Sequence, residues 1–517
     1  MRKLISGLLA AMLVLVGVLT FQVIRDGGSL HGGDAPAAAE SAIAKPTFGT
    51  TGTDLSGYYA QKLNWKKCGG GFECSTLSVP LDYANPNVAA ISLSVIRLAT
   101  KNPVGSLILN PGGPGGSGID YARAAEIVVS DQLRAKFSIV GFDPRGVGKS
   151  TPVHCFDDKQ TDAYLAADGS PDTQNEISDM IRIDQDLAAG CAKKSAELFS
   201  HVDTVSAAKD VDILRQALGD AKLNWLGKSY GTFLGATYAD LFPTKVGRMV
   251  LDGAIDPTLS NYELALGQAK GFENALTRFV EDCAFASDCP LTGDTTHGMR
   301  RIQRMLDDLD ANPVKLADGR MFTQALGVYG VIAPLYDKEY GWPELRVDLT
   351  DAFAGNFETL AASVDYYTSR DENGHFTDNS NDAIAAVNCL DRPDRPTLTQ
   401  TQATSVAWKK IAPTFGDILA WGNLGCTYWK APATGIAKKI SAVGSPTILV
   451  VGTINDPATP YPWAVGLAKQ LSKGVLLTFD GDGHTAYRAG SECIDAAVDT
   501  YYLTGEAHSG ITCKDGP

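Results

Sequence analysis

The feature that most constrains this chain is a glycine-flanked turn between an apolar run and a helical segment. The apolar run 223–226 leads into Gly227-Lys-Ser229-Tyr-Gly231, and residues 232–242 have a helical pattern. A G-x-S-x-G sequence in this context predicts a sharp strand-to-helix turn that strains the serine backbone. Glycine at both flanking positions removes the Cβ atoms that would clash in so tight a turn. We therefore expect the Ser229 hydroxyl to project above a sheet, beside a helix N-terminus that favours anions.

Other apolar runs along the chain alternate with helical segments. Residues 77–83 and 90–98 alternate in hydropathy, which predicts a pair of antiparallel strands. Further strands are expected at 106–110, 137–142, 223–228, 246–255, 446–452 and 474–479. Continuous apolar strands separated by helices indicate an α/β fold with a mostly parallel sheet covered on both faces.

The regular alternation stops near residue 256 and resumes near residue 443. Between these points the segments are mainly helical and contain two pairs of cysteines. A chain of 517 residues is long enough for a core with a large insertion. The sequence predicts a core formed by residues 50–256 and 443–517, interrupted by a helical cap, 257–442, that closes over the site.

The N-terminal segment predicts export. Arg2 and Lys3 precede an apolar run, 4–24, and small residues at 35–39 could hold a cleavage site. The apolar run is about 20 residues long, enough to span a bilayer, so an uncleaved membrane anchor is the alternative. Residues 1–49 are therefore interpreted as an export signal or anchor followed by a flexible linker.

The cysteine count and the net charge narrow the class of protein further. Ten cysteines follow the linker, an even number that predicts five disulfides in an exported chain, with the connectivity left open. They fall into five sequential pairs, none with zinc-binding spacing, so no metal is expected. The net charge of −14, without a basic stripe, argues against a nucleic-acid partner.

Two residues near the C-terminus could activate Ser229. A serine nucleophile needs a base within hydrogen-bond reach and a carboxylate that orients the base. Asp456 and His484 each follow a predicted strand, in the chain order serine, aspartate, histidine. We expect them to meet at the carboxyl edge of the sheet, where ligands of α/β folds gather. Asp480 and Asp482, in the histidine's own loop, are the alternative carboxylates.

Backbone N–H groups near Ser229 could stabilise an oxyanion. The turn itself supplies one donor, the N–H of Tyr230. The glycine-rich loop 110–118, which follows an early buried strand, favours Gly113 as the second donor. The alternative for this loop is a merely flexible turn.

Taken together, these motifs resemble secreted bacterial tripeptidyl aminopeptidase-like serine peptidases, relatives of proline iminopeptidases in the α/β-hydrolase fold. The resemblance rests on the following segments, spread over nearly the whole chain: Val79-Pro-Leu-Asp-Tyr83, Asn110-Pro-Gly-Gly-Pro-Gly-Gly-Ser-Gly118, Gly141-Phe-Asp-Pro-Arg-Gly-Val-Gly148, Gly227-Lys-Ser-Tyr-Gly-Thr232, Asp252-Gly253, Asn388-Cys-Leu-Asp391, Asp456-Pro-Ala-Thr-Pro460 and Gly483-His484.

The resemblance implies cleavage of a peptide or amide bond through an acyl-enzyme, without a cofactor. It places the triad on Ser229, Asp456 and His484, the same residues that the strand ends indicate. It further implies that cap carboxylates, here Asp391 together with Asp394, hold the free N-terminus of the substrate.

The resulting hypothesis is a secreted or cell-envelope-attached serine exopeptidase that removes short peptides from free N-termini of peptide or protein substrates. A carboxylesterase or lipase is the nearest alternative, because the same triad cleaves esters. A catalytically inactive surface-binding protein on a hydrolase scaffold is the alternative from another class.

Overall fold

The computed structural model describes residues 48–50, 52–435 and 437–514. Its strands are β1 Phe48–Thr50, β2 Lys66–Lys67, β3 Phe72–Pro80, β4 Ala90–Leu98, β5 Ser106–Asn110, β6 Ser138–Phe142, β7 Leu223–Lys228, β8 Val246–Asp252, β9 Val314–Lys315, β10 Met321–Phe322, β11 Ile448–Asn455, β12 Gly474–Asp482 and β13 Ile511–Lys514.

Helices fill most of the segments between the strands. The α-helices are Leu55–Ala60, Gly118–Arg123, Ala125–Val128, Asp131–Arg134, Asp158–Leu165, Gln174–Lys194, Thr204–Ala217, Tyr230–Leu241, Asn261–Cys283, Thr295–Ala311, Gln324–Ile332, Gly341–Phe353, Glu358–Tyr367, Ser380–Asp391, Leu398–Trp408, Gly416–Trp421, Tyr461–Gln470 and Glu492–Thr504. Short 3₁₀-helices span Leu198–Ser200, Pro243–Lys245, Ala333–Tyr336 and Gly425–Tyr428.

One twisted sheet organises the core. Its strand order is β13-β12-β11-β8-β7-β5-β6-β4-β3-β2, with β1 beside β4. The strands from β13 to β6 pair in parallel, whereas β4, β3 and β2 continue the sheet antiparallel. The predicted mostly parallel sheet is confirmed, and the predicted antiparallel pair corresponds to β3 and β4.

Both faces of this sheet are buried. Along β5, Ile108 packs into one apolar cluster, while Leu107 and Leu109 pack into another on the opposite face. Successive strand side chains point to opposite faces, so a strand covered on both sides needs apolar residues at every position. The carboxyl ends of the parallel strands therefore form one edge with a rigid base, and the candidate site lies there.

The region between β8 and β11 has a core of its own. Among the described residues it contributes no strand to the main sheet, only helices and the β9–β10 hairpin. Phe279, Leu309, Trp342 and Leu360 belong to its apolar cluster. The helical segment is defined here as residues 257–442; its division from the core at these boundaries stays a prediction.

Five disulfides cross-link the chain, as the cysteine count predicts. They join Cys68 to Cys74, Cys155 to Cys191, Cys283 to Cys289, Cys389 to Cys426 and Cys493 to Cys513. Disulfides in this number are typical of proteins outside the cytoplasm.

No helix within the described ranges is long and apolar enough to cross a bilayer. The predicted export signal or anchor with its linker covers residues 1–49; residues 1–47 lie outside the described part of the chain, and Phe48 and Gly49 belong to β1.

Candidate active site

The turn around Ser229 has the strained geometry that its sequence predicts. Ser229 adopts φ +53° and ψ −124°, and the helix begins at the next residue, Tyr230. A Cβ added at Gly227 would lie 2.2 Å from the Gly231 carbonyl oxygen, so the backbone at the two ends of the turn is too close for any side chain at Gly227. A positive φ at a residue other than glycine costs on the order of 1–3 kcal/mol and requires support from its surroundings. Ser229 itself is half-buried, which leaves part of it accessible.

The structure brings Asp456 and His484 into direct contact. His484 Nδ1 lies 2.8 Å from Asp456 Oδ1 and 2.9 Å from Oδ2, with both side chains almost fully buried. Asp456 also accepts hydrogen bonds from the N–H groups of Ala458 and Thr459, at 2.9 and 2.8 Å, and from the Thr459 hydroxyl at 3.0 Å. This saturated carboxylate fixes the imidazole ring and leaves Nε2 as the nitrogen available for proton transfer.

Ser229 and His484 both lie beside the segment Asp252-Gly253. The Ser229 N–H donates to the Asp252 carbonyl oxygen at 2.9 Å. A Cβ added at the following residue, Gly253, would lie 3.3 Å from His484 Cε1. The candidate nucleophile and the candidate base are therefore close neighbours, although they are far apart in the sequence.

Of the two alternative carboxylates, Asp482 has other partners. Its oxygens accept hydrogen bonds from Arg278, through Nε and at 2.9 Å through Nη2, and from Lys338 Nζ at 3.0 Å. Burial acts to raise the pKa of Asp482, but these cationic donors outweigh burial and hold the pKa below its usual value. Asp480 lies 3.9 Å from Lys514 on a partly exposed edge. Asp456 is the carboxylate that meets the His484 ring.

The glycine-rich loop lies against the turn. Gly112 and Gly113 both have φ near +105°, at +103° and +105°. A Cβ added at Gly112 would lie 2.9 Å from Ser229 Cβ and 3.0 Å from Tyr230 N. Gly113, the next residue, is exposed. Gly113 and Tyr230 remain the predicted oxyanion donors.

The two acidic residues predicted to bind a substrate N-terminus are engaged by the protein. Asp391 is buried and accepts from Thr204 N at 2.8 Å and Thr204 Oγ1 at 2.5 Å. The Thr204 hydroxyl also contacts the Tyr230 hydroxyl, so Asp391 supports the side chain of Tyr230 through Thr204. Asp394 accepts from Asn261 N at 3.3 Å. A role in substrate binding stays a prediction for both, and these contacts do not favour it for Asp391.

Tyr336, in the helical segment, is a part of the site that sequence reasoning missed. Its carbonyl oxygen accepts the His484 N–H at 2.8 Å, and its ring stands edge-on to the imidazole with centroids 5.3 Å apart. Nothing local in the sequence indicates this contact, because it depends on how the helical segment packs over the loop. Within the described ranges, no group of three His, Cys, Asp or Glu side chains could hold a metal ion.

Comparison with known proteins identifies the family of this chain. The model of the α/β-hydrolase fold family matches residues 105–487, and the chain belongs to this family. It is 37% identical over 479 residues to serine protease Hip1 of Mycobacterium tuberculosis, covering 88% of this chain and 91% of the relative. It is 37% identical over 509 residues to carboxylesterase B of M. tuberculosis (92% and 95% covered) and 31% identical over 469 residues to tripeptidyl aminopeptidase of Streptomyces lividans (87% and 86%). The fold and the family resemblance predicted from the motifs are confirmed.

Proposed function

We propose that this protein is an extracytoplasmic serine peptidase that removes short peptides from the free N-termini of its substrates. The observation that carries the proposal is the buried contact between His484 Nδ1 and the Asp456 carboxylate, beside the strained turn of Ser229. This arrangement of base and orienting carboxylate activates a serine for attack on a carbonyl carbon. The relatives named serine protease and tripeptidyl aminopeptidase support the choice of a peptide bond.

In the proposed mechanism, Ser229 Oγ attacks the scissile carbonyl while His484 Nε2 takes its proton. Asp456 keeps the proton on Nδ1 and stabilises the imidazolium that forms. The backbone N–H groups of Tyr230 and Gly113 bind the oxyanion. His484 then gives the proton to the leaving amine. In the second half of the reaction, His484 takes a proton from the attacking water and returns it to Ser229 Oγ as the acyl-enzyme is hydrolysed.

Restriction to chain ends is assigned to the helical segment. Tyr336 contacts the imidazole edge-on and bonds to the His484 main chain, so the helical segment covers one side of the candidate base. A cover of this kind favours short or terminal peptides over the interior of a folded protein. Export through the N-terminal segment would place the enzyme at the cell surface or in the medium, which the five disulfides support.

A carboxylesterase is the second candidate function. The observation that favours it is the relative named carboxylesterase B, which matches this chain as closely as the relative named serine protease. The triad and oxyanion donors cleave esters by the same steps, so the choice depends on the leaving group that the site accepts.

Turnover of free and N-blocked peptide anilides, compared with matched esters, tests the proposal. We expect the free peptides to be cleaved fastest, and the S229A variant to lose at least about 10⁴-fold in kcat on every substrate. Preference for blocked peptides would exclude recognition of the free N-terminus, and hydrolysis of esters alone would establish the esterase. Unchanged turnover by S229A would overturn the serine mechanism.

A further inference from the structure

Lys228, the residue immediately before Ser229, is completely buried. Its side chain and that of Asp252, its neighbour across the β7–β8 pair, both have 0% exposure. Removing an ammonium from water is costly unless partners replace the lost hydration. The identity of those partners therefore indicates what the lysine does.

The partners of Lys228 lie in the loop that follows His484. Lys228 Nζ donates to the Tyr487 carbonyl oxygen at 2.7 Å and lies 3.3 Å from the Thr485 hydroxyl oxygen. The Asp252 carboxylate lies 3.8 Å from the ammonium. The partners of the Lys228 ammonium group thus belong to the loop that carries His484 and to Asp252, and none of them is part of a substrate pocket.

Asp252 holds the same loop through its backbone. Its carboxylate accepts the N–H of Ala486 at 3.0 Å and the N–H of Tyr487 at 3.0 Å. Its own carbonyl oxygen accepts the Ser229 N–H at 2.9 Å. One residue therefore bonds to the candidate nucleophile with its main chain and to the loop of the candidate base with its side chain.

The loop needs such support, because its backbone is strained on both sides of these contacts. Thr485 has φ +67° and Arg488 has φ +61°, in the left-handed region that residues other than glycine rarely adopt. Such conformations persist only where surrounding contacts impose them.

We propose that Lys228 and Asp252 form a positioning pair that fixes the distance between His484 and Ser229. This inference rests on the proposed function, since it matters only if these two residues react together. The pair touches neither substrate nor the reacting atoms; it acts through residues 485–487. Its loss should misplace the imidazole without changing the surface that binds the substrate.

A second buried pair provides a matched control. Arg145 and Asp210 also have 0% side-chain exposure, with Arg145 Nη2 2.6 Å from Asp210 Oδ1. Arg145 otherwise donates to the carbonyl oxygens of Pro80, Leu81 and His201, which are outside the proposed site. We expect the loss of this pair to lower stability and to leave the His484 loop in place.

The test compares K228M with R145M in the full-length protein. For K228M we expect kcat per folded molecule to fall about 10- to 100-fold, because small misplacements of reacting groups have effects of this size, while KM changes less than about 2-fold. Labelling of Ser229 by a fluorophosphonate should slow by the same factor. R145M should keep kcat and the labelling rate within about 2-fold of wild type, even if its thermal midpoint falls.

Three results would overturn the inference: K228M with an unchanged kcat, K228M with a loss confined to KM, or R145M with an equal loss of kcat. If K228M does not fold, D252N is judged by the same criteria, because asparagine keeps the volume of the side chain. Activity that survives S229A would reject the proposed function instead, so the two failures are distinguishable.

Discussion

The loop that carries His484 is held on two sides by ion pairs of different kinds. On the core side, Lys228 and Asp252 are fully buried. On the side of the helical segment, Asp482 is almost buried, but its partners Arg278 and Lys338 have 38% and 39% of their side chains exposed. Buried charges are little screened and costly to unpair, whereas exposed pairs contribute about 0–1 kcal/mol and weaken with salt. The proposed positioning pair therefore assigns the main support of the loop to the core, and a smaller, salt-sensitive contribution to the helical segment.

The largest effect on catalysis is expected at Asp456, whose carboxylate contacts the His484 ring. D456N should lower kcat about 10⁴-fold, because an amide donates where a carboxylate accepts and stabilises the wrong imidazole tautomer. Steady-state kinetics on a peptide anilide measure the change. D480N, near the end of β12 and just before the loop of His484, is the control and should stay within about 3-fold of wild type. A smaller loss in D456N than in D480N would show that the orienting carboxylate has been misassigned.

The next largest effect concerns stability at Asp391, where the helical segment contacts Thr204 of the core. Burial raises the pKa of Asp391 to about 6, despite the opposing hydrogen bonds from Thr204. The unfolded chain, with a pKa near 3.9, binds fewer protons than the folded one between about pH 4 and pH 6, so stability falls as pH rises through this window. D391N lacks this titration.

Urea unfolding of wild type and D391N at about pH 4 and pH 6.5 measures the effect. The free energy of unfolding of wild type should fall by about 2 kcal/mol relative to D391N over this interval. A constant difference between the two proteins would contradict the buried, protonated carboxyl group and the support it gives to Tyr230.

The smallest effect is expected on the exposed side of the loop. R278M leaves Lys338 on Asp482 and should lower kcat/KM by about 5-fold or less, with the difference from wild type shrinking as NaCl increases. R320M, which breaks the partly exposed pair with Asp365 elsewhere in the helical segment, is the matched control and should show no loss. A loss in R278M as large as that in K228M, or one independent of salt, would erase the distinction between the two sides.

Much of the fold could be predicted from sequence because its signals are local. The continuous apolar run of β5, with Leu107 and Ile108 on opposite faces, indicates a strand covered on both sides. The pairing of Asp456 with His484 follows from their position after parallel strands, which share one edge. The turn at Ser229 is encoded by the glycines that flank it.

The remaining features depend on contacts between segments that are distant in the chain. Nothing near Asp482 shows that Arg278 will meet it, and nothing near Asp391 shows that Thr204 will occupy its oxygens. Lys228 lies inside the G-x-S-x-G motif, but a lysine next to a turn is ordinarily expected to be exposed. Its burial follows only when β8 and the His484 loop pack around it.

Identification of the residue that a fluorophosphonate modifies is the sharpest test that Ser229 is the nucleophile. Digestion and mass spectrometry of the labelled protein should find the adduct on Ser229, in wild type and in R145M, with labelling slowed in K228M and nearly abolished in D456N. An adduct at another residue, or full peptide turnover by protein labelled at Ser229, would show that Ser229 is not the nucleophile.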